Sequence, residues 1–91
     1  MNSVVTFTDG SKWAVVAEAN YDGDVYNYLV GVNEAEDDFL DKYKVVKIVL
    51  ENGKKYMDDV KDKDILKKVS PLLMPEVKKY IDNPELLADL K

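Results

Sequence analysis

The sequence contains no cysteine, no histidine and no arginine, and these absences exclude much of protein chemistry. Without cysteine the chain has neither disulfides nor a thiolate nucleophile, and without histidine it has no imidazole for acid–base catalysis near neutral pH. Zinc sites, which use mainly cysteine and histidine ligands, are disfavoured for the same reason. All thirteen basic residues are lysine, so the planar fork with which arginine binds phosphate and carboxylate is missing. We therefore expect no enzymatic activity, no cofactor and no metal site.

The sequence also lacks long apolar runs and an excess of positive charge. No stretch approaches the roughly 20 apolar residues of a membrane-spanning helix, and the first residues lack the basic and apolar regions of a secretory signal. Eighteen acidic residues against thirteen lysines give a net charge of −5, which disfavours direct binding to nucleic acid or to anionic membranes. These features predict a cytoplasmic protein.

What is present is an alternation of apolar strands and tight polar turns over the first 58 residues. Of the 91 residues, 46% are hydrophobic, enough for one core, and the length predicts a single domain over residues 1–91. Asp9-Gly10, Asp22-Gly23 and Asn52-Gly53 are typical of tight hairpin turns. The predicted strands cover 3–8, 11–21, 25–33, 44–51 and 54–57. The acidic stretch 34–43 between them predicts a loop or a single helical turn.

The two strands on either side of Asp22-Gly23 have the most apolar pattern in the chain. In the first of them, a period of two places Trp13, Val15 and Ala17 on one face. The strand that follows is apolar on both faces, which is typical of a strand in the middle of a sheet. In that strand, Gly31 indicates a bulge or a close backbone approach.

The period changes to about 3.6 after residue 58, which predicts a helical part over about 62–91. An apolar stripe begins with Ile65, Leu66, Val69, Leu72 and Leu73, and Asp62 or Asp64 can cap its start. Proline costs roughly 3 kcal/mol inside a helix, so Pro71 and Pro75 predict a break or kink within 70–75 rather than one long helix. A second piece would cover 76–81 with Val77, Tyr80 and Ile81 inward, and a last turn would cover 85–90.

These elements together predict an α+β fold, in which a four- or five-stranded, mainly antiparallel meander carries the C-terminal helices on one face. We expect the helices to contribute Ile65, Leu66, Val69, Leu73 and Val77 to a single core. The sheet would contribute Val5, Phe7, Trp13, Val15, Ala17, Tyr28, Val30, Val46, Ile48 and Leu50.

The order of motifs resembles a known family. The chain has a V-A-E-A-x-Y-D-G-x-x-Y-x-Y-L-V hairpin, an acidic loop, a V-V-K-I-V-L-E-N-G-K hairpin and then D-x-D-I-L-K-K-V. Over residues 4–73 it resembles the YrzB-like small acidic proteins of unknown function from low-GC Gram-positive bacteria. The resemblance implies a bacterial source and no catalytic residues. The chain differs from the pattern in continuing past Pro75 with a second helical segment, so a shared partner does not follow.

Four groups of side chains are candidates for chemistry or binding. Asp22 and Asp24 flank Gly23 at a spacing that calcium loops use, but the further ligands of such a loop do not follow, so a solvated turn is the better interpretation. The acids of 34–41 and those of 58–64 could share protons or a weak metal, although solvation and helix capping explain them adequately. Six tyrosines could supply binding anchors.

The sequence thus favours a non-catalytic module that binds an unidentified protein. The candidate partner-binding residues are Tyr21, Asp22, Asp24, Glu34, Glu36, Asp37, Asp38 and Tyr43. The alternative is an acidic inhibitor of phage or mobile-element type, which would imitate nucleic acid in a basic groove. That alternative requires the acids of 22–24, 34–41 and 58–64 to form one continuous face. Homodimerisation through a sheet edge is also compatible with the sequence.

Overall fold

The computed structural model describes residues 4–36 and 38–83, which form five antiparallel strands and one helix. The strands lie side by side in chain order, as a simple meander. They are β1 (Val4–Thr6), β2 (Lys12–Tyr21), β3 (Asp24–Val32), β4 (Phe39–Glu51) and β5 (Lys54–Asp59), and the helix is α1 (Lys63–Asp82). The predicted α+β class, the antiparallel meander and the C-terminal helical layer are confirmed.

Two tight turns have the backbone that their sequences predict. Asp22 and Gly23 have φ angles of 52° and 82°, and Asn52 and Gly53 have φ angles of 53° and 78°. Positive φ at both central residues defines the type I′ turn, which matches the twist of the strands it joins. The hairpins β2–β3 and β4–β5 are therefore fixed in register by local sequence.

The helix covers one face of the sheet and encloses the larger apolar cluster with it. On α1, Val69, Leu73 and Val77 are completely buried, and they pack against small and aromatic residues of the strands. The buried strand residues of this helix-side cluster are Ala14, Val16, Ala17, Tyr26, Tyr28, Val32 and Val45. All five helix residues predicted for the core belong to it, whereas Leu72, which was part of the predicted stripe, is 50% exposed.

A second apolar cluster lies on the opposite face of the sheet, so the prediction of a single core is wrong. Trp13, Leu29 and Val46 form its buried part. The residues packed around them are Val5, Phe7, Val15, Ile48 and Met57. Six strand residues that were predicted to pack against the helix thus face away from it: Val5, Phe7, Trp13, Val15, Val46 and Ile48. Leu50, also predicted for the core, is 76% exposed near the β4–β5 turn.

A bulge in β2 causes most of this error. Val15 pairs with Leu29 and Ala17 pairs with Tyr28. Two steps along β2 therefore correspond to one step along β3, and Val16 is the extra residue. A bulge shifts the alternation by one residue. Trp13 and Val15 consequently point away from the helix while Ala17 points toward it, although strict alternation puts all three on one face.

Lysine side chains cover part of the second cluster. The Lys44 Nζ lies 4.0 Å from the Phe7 ring centroid and 4.6 Å from that of Trp13, and the Lys42 Nζ lies 4.9 Å from the Trp13 centroid. Both are within cation–π range. The indole Nε1 of Trp13 donates a 2.9 Å hydrogen bond to the Ser11 hydroxyl. These contacts account for the 8% exposure of Trp13 on a face without a helix.

The helix continues through both prolines as one element, so the alternative of a break within 70–75 is wrong. Pro71 and Pro75 are four residues apart on the exposed side of α1, where water can solvate the carbonyls that lose their partners. The buried residues on the other side hold the helix against the sheet. Asp62 caps it, because its Oδ1 accepts hydrogen bonds from the backbone N–H of Asp64 at 2.9 Å and of Ile65 at 3.4 Å. The predicted turn at 85–90 lies outside the described residues.

The fourth strand begins earlier than the sequence predicts. Residues 39–43, assigned above to a loop or helical turn, are the first five residues of β4. Val30 pairs with Tyr43 and Val32 pairs with Phe39, so two steps along β3 correspond to four along β4. Gly31 lies within this irregularity, which is the bulge predicted for this glycine, and a Cβ there would come within 2.6 Å of Cε in the Lys42 side chain. In the described residues, no helix is long and apolar enough to cross a membrane.

Candidate functional site

The predicted partner-binding residues lie at two opposite ends of the β2–β3 hairpin. Tyr21, Asp22 and Asp24 are at its turn, whereas Glu34, Glu36 and Asp38 belong to the connection from β3 to β4. The nine residues of β3 separate the two groups by roughly 26 Å, at about 3.3 Å per residue. Tyr43 lies on β4 toward the second end, and Asp37 lies outside the described residues.

The turn end brings two of the three acidic groups together in one cleft of about 310 Å³. The carboxylates that line it come from the β2–β3 turn, from β5 and from the residue that caps α1. They are Asp22, Asp24, Asp58, Asp59 and Asp62. Lys47 and Lys61 line the same cleft, and the Lys47 Nζ is 3.5 Å from a carboxylate oxygen of Asp24. Within the described part of the chain, no group of three or more acids is close enough to hold a metal ion.

At the other end, the acidic loop is tied to the sheet. The Lys12 Nζ donates to the Glu36 carboxylate at 3.1 Å and to the Glu34 carbonyl at 3.3 Å. Asn33 closes the loop, because its backbone N–H donates to the Asp38 carbonyl and its side-chain oxygen accepts from the Asp38 N–H. One of the carboxylates at this end is therefore already paired with a lysine.

An apolar groove lies between β4 and the last turns of α1, on the helix side of the sheet. Its volume is about 430 Å³. We call it the aromatic groove, and it is lined by Tyr28, Val30, Asp38, Phe39, Leu40, Asp41, Lys42, Tyr43 and Tyr80. Tyr43 is 69% exposed and Leu40 is 40% exposed, so large apolar surface faces the solvent here.

Two stacked tyrosines form one wall of the aromatic groove. The ring centroids of Tyr28 and Tyr43 are 5.6 Å apart and the rings are within 11° of parallel. The register explains the stack, because Tyr28 pairs with Val45 and Tyr43 pairs with Val30, which makes the two tyrosines diagonal neighbours on one face. Tyr28 is buried beneath Tyr43, and this burial, with a smaller contribution from Tyr43, raises the pKa of the Tyr28 hydroxyl.

The groove carries negative charge at its rim. The carboxyl groups of Asp38 and Asp41 belong to residues that line it, and both residues are exposed. Lys42 also contributes to the lining, but its ammonium group lies over Trp13 on the opposite face of the sheet. The arrangement offers aromatic stacking, apolar contact and carboxylate acceptors in one place.

Of the seven predicted partner-binding residues that the structure describes, the aromatic groove contains Asp38 and Tyr43. Sequence reasoning missed Phe39, Leu40 and Tyr80. The alternation of Phe39, Asp41 and Tyr43 could have shown that β4 starts early, but the preceding acids favoured a loop. Tyr80 was correctly placed on the inner side of a helix, where it is half-buried, yet no local pattern indicates which strand it meets.

Comparisons with protein-family models, with curated proteins and with solved structures found no match to this chain.

Proposed function

We propose that this chain is a non-catalytic protein-binding module, whose partner docks on the aromatic groove. The observation that carries the proposal is Tyr43, which is 69% exposed although its ring is held in a defined position on Tyr28. A preordered aromatic ring loses little conformational freedom on binding, and tyrosine is enriched among the residues that dominate interface energies. The resemblance to YrzB-like proteins agrees with a small bacterial module of the cytoplasm and with an absence of catalytic residues.

The composition of the groove supports a protein partner. Phe39, Leu40 and Tyr80 also line the groove and add apolar surface to that of Tyr43. An apolar centre with a polar rim is the usual anatomy of an interface. The exposed carboxylates of Asp38 and Asp41 favour a partner with lysine or arginine next to its apolar anchor.

A capture experiment with matched variants tests this assignment. The full chain would be immobilised and exposed to lysate of the source organism, beside the groove variant Leu40→Ser/Tyr43→Ser and the control variant Leu50→Ser/Tyr56→Ser. Leu50 and Tyr56 are also exposed, at 76% and 47%, but they lie near the β4–β5 turn. We expect the wild type and the control to retain the same protein and the groove variant to lose it. Equal retention by all three would refute the groove as the site.

A second candidate function rests on the acidic cleft. Five aspartates from the β2–β3 turn, from β5 and from the start of α1 line it, which favours an inhibitor that imitates nucleic acid. Glu34, Glu36 and Asp38 lie at the other end of β3, so such an inhibitor would use only the two acidic groups that meet in this cleft. Such an inhibitor would bind a basic partner with steep salt dependence. Substitution of Asp22 and Asp58 by Asn would abolish that binding if the cleft carries it and would leave it unchanged if the groove does.

A further inference from the structure

The edge of β4 beside the aromatic groove has no neighbouring strand among the described residues. β5 pairs with β4 only from Val46 to Glu51, and one further hydrogen bond joins the Val60 N–H to the Val45 carbonyl at 2.9 Å. After Val60 the chain leaves the sheet and begins α1 at Lys63. On its other side, β4 is paired with β3 as far back as Phe39. Among the described residues, 4–36 and 38–83, no strand therefore pairs with the edge of β4 from residue 39 to 44.

An open strand edge offers backbone N–H and C=O groups to any extended chain that lies beside it. An added strand here would lie beside β4 in the position that β5 would have if it continued past Val60. One face of such a strand would be next to Tyr43 and Asp41, which share a face of β4, so alternate side chains would enter the aromatic groove. Backbone pairing and an apolar pocket for alternate side chains are the two components of recognition by strand addition.

We propose that this edge binds an extended peptide segment that presents an apolar residue between two basic residues on one face. This inference rests on the proposed function and names the class of partner. Charge complementarity selects the basic residues, because Asp38 and Asp41 lie at the rim of the groove while the Lys42 ammonium is on the other face. A second copy of the chain fits less well, since pairing two β4 edges would bring the same carboxylates together in a complex of two chains that each carry a charge of −5.

A defined peptide makes the proposal testable. The probe is the heptapeptide TKTFTKT with blocked ends, in which alternation places both lysines and the phenylalanine on one face. The peptide TTKFKTT has the same composition, but alternation separates its phenylalanine from its lysines. The peptide TETFTET reverses the charge. We expect TKTFTKT to shift the amide NMR signals of residues 39–45 of the full-length chain, and each control peptide to bind about tenfold more weakly or worse.

Methylation of the peptide backbone distinguishes strand addition from simple occupation of the groove. In an extended strand, successive N–H groups point to opposite sides, so only alternate amides can pair with β4. One probe would be N-methylated on the lysines and phenylalanine, and another on the internal threonines. We expect one of these to lose affinity by about tenfold or more and the other to bind like the parent peptide, because only one set of N–H groups donates to the edge.

The outcomes distinguish strand addition at the edge of β4 from binding in the aromatic groove alone. Equal effects of the two methylation patterns, or none, would refute strand addition, as would failure of TKTFTKT to bind at millimolar concentration. Binding that is insensitive to methylation but lost in Leu40→Ser/Tyr43→Ser would leave the proposed function intact while refuting this inference. Self-association of the chain, seen by sedimentation and abolished by Tyr43→Ser, would assign the edge to a second copy instead.

Discussion

Replacing Leu73 by Ala tests whether α1 is held to the sheet by its buried stripe. The Leu73 side chain is completely buried in the helix-side cluster, whereas its neighbour Leu72 is 50% exposed. Deleting a buried leucine side chain costs about 2–5 kcal/mol, because the transfer free energy is lost and a cavity remains. The half-exposed Leu72 side chain has less buried surface to lose. We therefore expect the free energy of unfolding to fall by about 3 kcal/mol in Leu73→Ala and by about 1 kcal/mol or less in Leu72→Ala. Both substitutions replace leucine by alanine in α1, so the change in helix propensity is the same in both.

Urea unfolding of the two variants measures this difference. Trp13 is the only tryptophan and belongs to the cluster on the opposite face, so its fluorescence reports the sheet, while circular dichroism at 222 nm reports mainly the helix. For a total stability on the order of 5–15 kcal/mol, Leu73→Ala should move the unfolding midpoint strongly with both probes. Equal destabilisation by the two substitutions would refute the orientation of α1. Separate transitions for the two probes would refute one cooperative domain.

Three further predictions concern local features. Asp62→Ala should destabilise the chain by about 1 kcal/mol in urea unfolding, through loss of the hydrogen bonds to the Asp64 and Ile65 N–H groups; an effect no larger than that of Asp58→Ala would contradict this. Gly31→Ala should destabilise by about 1 kcal/mol because the new Cβ displaces Lys42, and the penalty should disappear in a Lys42→Ala background; a penalty that persists there would implicate the backbone instead. The pKa of Tyr28 is raised by burial, so the folded state favours the neutral phenol. The contribution of this shift to folding stability should be complete below pH 10 and should fall as the pH rises further. Tyr43→Ala should lower the pKa of Tyr28, as measured by NMR titration of labelled tyrosine. An unchanged pKa would contradict the stacking of Tyr43 on Tyr28.

The sequence was sufficient for those parts of the fold that depend on local chemistry. Type I′ turns require positive φ, and only residues such as the Asp-Gly and Asn-Gly pairs meet that requirement cheaply, so both hairpins were predictable. The helical stripe and its cap at Asp62 follow in the same way from a period of 3.6 and a hydrogen-bonding side chain. These features need no knowledge of tertiary contacts.

The errors arise where tertiary packing overrides local preference. Nothing in the sequence around Val16 distinguishes a bulge from regular alternation, yet the bulge decides which residues meet the helix. Pro71 and Pro75 are tolerated because they share the solvent side of α1, which becomes evident only when both are placed on one helix. The aromatic groove needs Tyr80 from α1 and Tyr43 from β4, and their proximity is a property of the docked helix alone.

The most direct test of the central claim is site-specific photo-crosslinking in cells of the source organism. A benzophenone amino acid would replace Tyr43 in the aromatic groove, and Tyr56 at the β4–β5 hairpin in a matched control. We expect one discrete protein adduct from position 43, absent from position 56 and abolished by Leu40→Ser in the same chain. No adduct from position 43, or the same adducts from both positions, would contradict a binding site at the groove.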